Sequence, residues 1–176
     1  GSRILADYGV FIFDKLKLKK LFDDERAFEN ISSEFDVKLI NYLYEYYLQN
    51  TAEQSELLFI LKSTNFLLGE DNTLCTPEEL FFPSSYKENN EFAEKAKLLH
   101  QDIYEPISSS PQIIEWLSLL GMEHLSDVTF IQNVICKTDY VTTENAIEVG
   151  KFLFKVNQRE NIFDKISQYY LRCIPF

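Results

Sequence analysis

A mainly α-helical fold, a repeat-like bundle of helices with one small embedded β-hairpin, is what this sequence predicts. Three observations predict it. Apolar residues recur at helical spacing through most of the chain. Only five Gly and five Pro interrupt 176 residues, too few for a loop-rich or disordered chain. The chain also matches itself. When Ile12 is laid on Trp116, the residues Phe13, Leu16, Leu18, Leu21, Asp23 and Ala27 fall on Leu117, Leu120, Met122, Leu125, Asp127 and Ile131. Ile31 then falls on Ile135 and, after a short insertion, Leu43-Tyr44 on Leu153-Phe154. The expected organisation is one helical module over 3–176, made of two divergent units, 5–83 and 111–176, linked by 84–110. The second unit stops partway, so a fragment of a longer array is expected. Gly1-Ser2 reads as a tag-removal scar.

In chain order, Leu5 to Phe22 carries apolar residues at helical spacing, and Asp23-Asp-Glu-Arg26 opens a short second helix. Ser32 or Ser33 caps a strong helix whose stripe is Phe35, Leu39, Ile40, Leu43, Tyr47 and Leu48. Helix continues through Phe59. Ile60 to Thr64 and Asn65 to Leu68 read as short strands, Gly69-Glu-Asp-Asn72 as the turn, and Thr73-Leu-Cys75 as the return. Thr76-Pro-Glu-Glu79 is a complete helix start: Thr76 caps, Pro77 takes the first position and Glu79 reaches back. Phe81-Phe82-Pro83 is extended. Phe92 to Tyr104 reads as helix, and Glu105 to Pro111 as a break. A helix capped by Ser110 ends at Gly121. Further helices are expected from Ser126-Asp127 through Ile135, from Thr142 or Thr143 to about Asn157, and from Ile162 to Cys173.

Composition excludes several classes. The net charge is −11, which phosphate backbones repel, so no nucleic-acid partner is expected. The basic run Lys15-Leu-Lys-Leu-Lys-Lys20 reads as the solvated face of a helix. No apolar run reaches membrane-spanning length, so no membrane partner is expected. Cys75, Cys136 and Cys173 have neither metal nor redox spacing and fit reduced thiols in a cytoplasmic protein.

Candidate chemistry is sparse. Gly9, Gly69, Gly121 and Gly150 stand alone, so no phosphate-cradling loop and no nucleotide cofactor is expected. His100 and His124 are the general-base candidates; His124 reads as a loop residue, and His100, with Asp102 and Glu105, has a spacing that fits a solvated helix end better than a metal site. Cys75 lies beside the Thr76 cap, but a buried thiol is favoured over a nucleophile. The pairs Asp23-Asp24, Glu70-Asp71 and Glu78-Glu79 read as helix starts or turns. Tyr42, Tyr44 and Tyr46 widen the stripe of their helix. With Phe81 and Phe82 they form a possible interaction surface, set against simple packing, which aromatic residues serve more often.

The hairpin segment carries a resemblance. Phe59-Ile-Leu-Lys-Ser-Thr64, Gly69 and Leu74-Cys-Thr-Pro-Glu-Glu-Leu-Phe-Phe-Pro83 resemble a recurrent phrase of sacsin-like proteins, very large chains with heat-shock-chaperone-type ATPase modules and helical repeats. Leu119-Leu-Gly-Met122 and Thr143-Glu-Asn-Ala-Ile147, leading into Phe152-Leu-Phe154, are similar to the steps that follow it. The likeness covers Leu57 to Phe154. It departs at Lys62-Ser63, where the phrase has Pro, and in the longer turn. It implies a helical module beside an ATPase in a large chaperone-like or defence-type protein. The expected function is therefore a non-catalytic, acidic scaffold that binds protein segments or adjacent modules of its own chain. The alternatives are an enzyme with a site near the hairpin and His100, and an oligomerisation or regulatory module.

Overall fold

The computed structural model describes residues 31–86, 91–136 and 140–165. The helices expected before Ile31, and with them the first half of the self-match, lie outside the described residues. So does the last helix beyond Lys165. The described chain is mainly α, with short strands. It divides into two compact units: 1–83 with 97–123, and 84–96 with 124–176. That division differs from the expected one, because residues 111–123 group with the first unit and not with the second.

The first unit opens with α1, Ser33–Gln49. Ser32 caps it, its hydroxyl accepting from the Phe35 amide at 3.2 Å. Asp36, Leu39, Ile40, Leu43 and Tyr46 make the buried stripe. The expected stripe placed Leu48 there, but Leu48 is exposed and Tyr46 is inside. The Tyr46 hydroxyl escapes the apolar cost by donating to Glu53 at 2.7 Å. A 3-10 turn, Thr51–Glu53, leads into α2, Gln54–Lys62. This corrects the strand expected over Ile60–Thr64. The segment ends a helix that buries Leu57 and Leu61, and a short apolar run has no period that separates the two.

The hairpin is shorter than expected but in place. β1, Leu67–Leu68, pairs antiparallel with β2, Leu74–Cys75, in the register Leu67 to Cys75 and Leu68 to Leu74. The Thr76 start is realised as a 3-10 turn over Pro77–Glu79, with the Glu79 carboxylate accepting from the Thr76 amide at 2.7 Å. β3, Leu80–Phe82, follows and is fully buried. It pairs in parallel with β4, Lys97–Leu98. β5, Glu123–His124, completes that sheet in the order β4-β3-β5.

The helix expected over Phe92–Tyr104 is corrected. A 3-10 segment, Glu91–Lys95, precedes β4, and helix begins only with α3, Gln101–Ser108. Strand pairing wins here because residues 98–100 are hydrogen-bonded on two sides. The Leu99 amide donates to Phe81, the His100 amide to Leu68, and the Leu98 carbonyl accepts from Glu70, all at 2.9–3.0 Å. The expected break at Glu105 is also corrected. Pro106 lies inside α3. Proline lacks the amide that would bond the Asp102 carbonyl, and Asp102 is an exposed residue.

α4, Pro111–Leu119, starts at Ser110-Pro111 as expected. It stops at Gly121, whose φ is +113°. The Met122 amide donates back to Leu117 at 3.2 Å and the Gly121 amide to Ser118 at 3.0 Å, closing a Schellman motif. The core of this unit runs from Leu39 to Met122 and centres on Leu43, Leu61, Phe66, Phe82 and Trp116. Each such buried side chain contributes about 1.5–3 kcal/mol.

In the second unit, α5, Asp127–Phe130, is capped reciprocally by Ser126 and Thr129. The chain then widens to a π-turn over Ile131–Ile135, which the sequence reading had as plain helix. The Cys136 amide reaches Ile131 at 2.9 Å, the i to i+5 bond of such a bulge. α6, Ala146–Glu160, begins later than the Thr142 or Thr143 cap predicted, because Thr142–Asn145 form a turn: Asn145 Oδ1 accepts from the Thr142 amide at 2.8 Å. α7, Ile162–Lys165, is the last described helix. Phe130 stands edge-on to Tyr140 and Phe152 at the centre of this core.

Candidate functional site

The hairpin turn gathers a dense polar cluster among the described residues of the first unit. Asn72 takes a φ of 60°, which Asn tolerates better than most residues. Asp71 Oδ1 accepts from the Thr73 amide at 3.1 Å and its hydroxyl at 2.6 Å. Its other oxygen faces Lys97 Nζ at 3.3 Å. Lys97 also donates to Thr73 Oγ1 at 3.2 Å. Cys75 Sγ lies 3.6 Å from that same oxygen. Four residues from β2, its turn and β4 thus converge.

Their electrostatics oppose nucleophilic work. Burial pushes the Cys75 thiol up, against weaker help from Thr73 and Lys97. The sulfur is therefore neutral near pH 7. Thr73, then Lys97, hold the Asp71 carboxyl down at about 2. Desolvation is the largest influence on Lys97 and lowers it, yet Cys75, Asp71 and Glu79 together hold it above its ordinary value. With the thiol neutral, Asp71 is the anion that Lys97 answers. The cluster ties the turn to β4. Because Asp71 is depressed from 3.8, its contribution is present above that pH and is lost as pH falls through about 2. Asp71 is 44% exposed, so screening holds the effect to about 0.5 kcal/mol or less. Accordingly, Asp71→Asn is expected to speed exchange of the Thr73 amide at pH 6 and to do so less and less as pH falls toward and below 2.

His100 is engaged elsewhere. It is the N-cap of α3, its Nδ1 accepting from the Asp102 amide at 3.2 Å. Among the described residues no group of three His, Cys, Asp or Glu is placed to hold a metal ion.

The five aromatic residues of the expected interaction surface separate. Phe81, Phe82 and Tyr46 are buried, a correction: they are core and offer no surface. Strand β3 runs through the core and turns both Phe faces inward. Tyr44 packs on Trp116, ring centroids 5.7 Å apart, and is half-buried, as is Tyr42.

Other apolar residues, outside the expected surface, are exposed. On α6, Val149, Leu153 and Val156 face the core of the second unit. At 3.6 residues per turn, Ile147 and Phe154 lie together on the opposite face, two turns apart. They are 72% and 63% exposed. In the first unit Phe59, on α2, is 76% exposed. The signal in the sequence was an apolar pair at i and i+7 outside the main stripe.

Two buried carboxyls were also missed. Asp127 in the second unit accepts from the Tyr86 hydroxyl and pairs with Arg159. It thereby joins the start of α5, the 84–86 segment and the end of α6. Asp36 in the first unit is 0% exposed; its Oδ2 accepts from the Leu68 amide at 2.8 Å. Burial, partly offset by that amide, raises its carboxyl to about 7. Asp36 falls on the stripe four residues before Ile40 and seven before Leu43, and a carboxyl in an apolar stripe was the signal.

No family model, no curated protein and no solved structure matches the chain.

Proposed function

We propose that this chain is a non-catalytic helical scaffold that binds protein segments or adjacent modules of its own chain. The observation that carries this reading is the exposed pair Ile147 and Phe154 on the outer face of α6. Large apolar side chains two turns apart on one solvated helix face are the anchors of helix-in-groove recognition. The net charge of −11 favours protein over nucleic-acid or anionic membrane partners. Among the described residues no helix is long and apolar enough to cross a membrane. The free thiol of Cys75 supports a cytoplasmic setting. The repeat reading is part of the proposal: Leu43 and Leu153, aligned by the self-match, are both buried on their own helices. The sacsin-like phrase between Leu57 and Phe154 supports a place beside an ATPase module in a larger chain.

The test is selection of binding peptides from a displayed random library, then titration against the double variant Ile147→Glu, Phe154→Glu. Both sites are exposed, so stability is expected to change by less than about 0.5 kcal/mol. The selected peptides are expected to lose at least about tenfold in affinity, the worth of one apolar anchor. Peptides that bind both proteins equally would place the recognition surface elsewhere.

A further inference from the structure

We propose that Asp36 is a proton-operated latch between α1 and the hairpin strand β1, closed while the carboxyl is neutral and loosened when it ionises. The geometry is asymmetric. Oδ2 accepts the Leu68 amide across 32 positions of sequence. Oδ1 is buried and has no hydrogen-bond partner among the described residues. A neutral acid suits this arrangement: the carbonyl oxygen accepts from Leu68, and the other oxygen carries its proton among apolar neighbours. A carboxylate does not suit it, since one oxygen would hold charge with neither water nor a donor.

Among the described residues no charge on the surrounding elements rescues the ionised form. On α1, Glu34 and Lys38 pair with each other at 2.6 Å on the exposed side. β1 contributes only Leu67 and Leu68. The charged residues of α2 (Glu56, Lys62), α3 (Asp102, Glu105) and α4 (Glu115) are exposed, and Glu53 of the intervening turn is bonded to Tyr46. Among the described residues, desolvation, which raises the carboxyl, and the Leu68 amide, which lowers it, act on Asp36. The latch is independent of the docking face on α6.

The direction with pH follows. The native carboxyl sits near 7 against an ordinary 3.8. Between those values the open state releases a proton that the closed state keeps. Opening is therefore favoured as pH rises, by about tenfold per pH unit, and levels off above about 7.

The experiment is amide exchange at Leu68 from pH 5 to pH 8, corrected for intrinsic exchange, in the full chain and in Asp36→Asn. It is paired with a carbon-detected titration of the Asp36 carboxyl. The expected result is a titration near neutrality and a Leu68 opening constant that climbs with pH in the parent protein but not in the variant. A carboxyl that titrates near its ordinary value overturns the proposal. So does a pH dependence shared by every protected amide, which would make Asp36 a term in global stability and not a latch. If Asp36→Asn fails to fold, the carbon titration and the parent's exchange profile decide alone.

Discussion

Trp116→Ala is expected to cost about 3–5 kcal/mol, a large part of the roughly 5–15 kcal/mol that holds a typical domain together. Trp116 is 2% exposed. Its indole lies against Tyr44 and Tyr47, with centroids 5.7 and 6.1 Å away and planes tilted by 55° and 49°. Both tyrosines are on α1, so the indole joins α4 to α1. Removing it deletes the largest buried side chain of the first unit and leaves a cavity between helices that cannot fully collapse. Trp116→Phe is expected to lose less, about 1–2 kcal/mol, because it keeps a ring against both tyrosines. It also forfeits no hydrogen bond among the described residues, where Nε1 has no acceptor. Urea unfolding followed by far-UV circular dichroism reads both variants, since the sole tryptophan cannot serve as the probe. Equal losses for Ala and Phe would show that ring packing is not the source.

Gly121→Val is the second large effect, about 3 kcal/mol. At φ +113° an L-residue is strained in any space, and the space here is tight: an added Cβ would lie 3.3 Å from Glu78 Cβ. The residue cannot swing away, because its amide and that of Met122 close the end of α4. The same unfolding measurement checks it. A loss under about 0.5 kcal/mol would mean that the Schellman geometry is dispensable.

What was legible in the sequence was local. The Thr76–Glu79 start, the Ser110-Pro111 start and the Gly121 stop were readable because cap chemistry is complete within four residues. The hairpin turn was readable for the same reason. Errors arose where two structures share one pattern. Ile60 to Lys62 is apolar enough for either helix or strand, and burial of Leu61 under α1's stripe decides for helix. Phe92 to Tyr104 has helical spacing, but the ladder from β3 and from Leu68–Glu70 captures residues 97–100. The candidate site was the least legible. Lys97 meets Thr73 across 24 positions, and the bridge between Gly69 and Leu99, with Glu70 bonded to Leu98, brings them together. Asp36 and Leu68 are similarly remote. The aromatic residues were over-read as surface: Phe81 and Phe82 adjoin in sequence, which on a half-exposed strand would put one outward, but β3 is covered on both faces.

The interleaving of the two units has a consequence for synthesis. The chain passes between them at 83/84, 96/97 and 123/124, so neither unit is a continuous stretch. A ribosome therefore cannot finish the first before beginning the second. Residues 84–96 emerge early, with Ala93 and Ala96 destined for burial, and wait for α5 and α6. At about 5–20 residues per second that wait lasts several seconds. Throughout it, the nascent chain carries 84–96 without the rest of its unit while the first unit completes. Factors that bind nascent chains should therefore act longest on chains arrested between Ala96 and Glu160, and a circular permutant that moves 84–96 beside 124 should shorten that dependence.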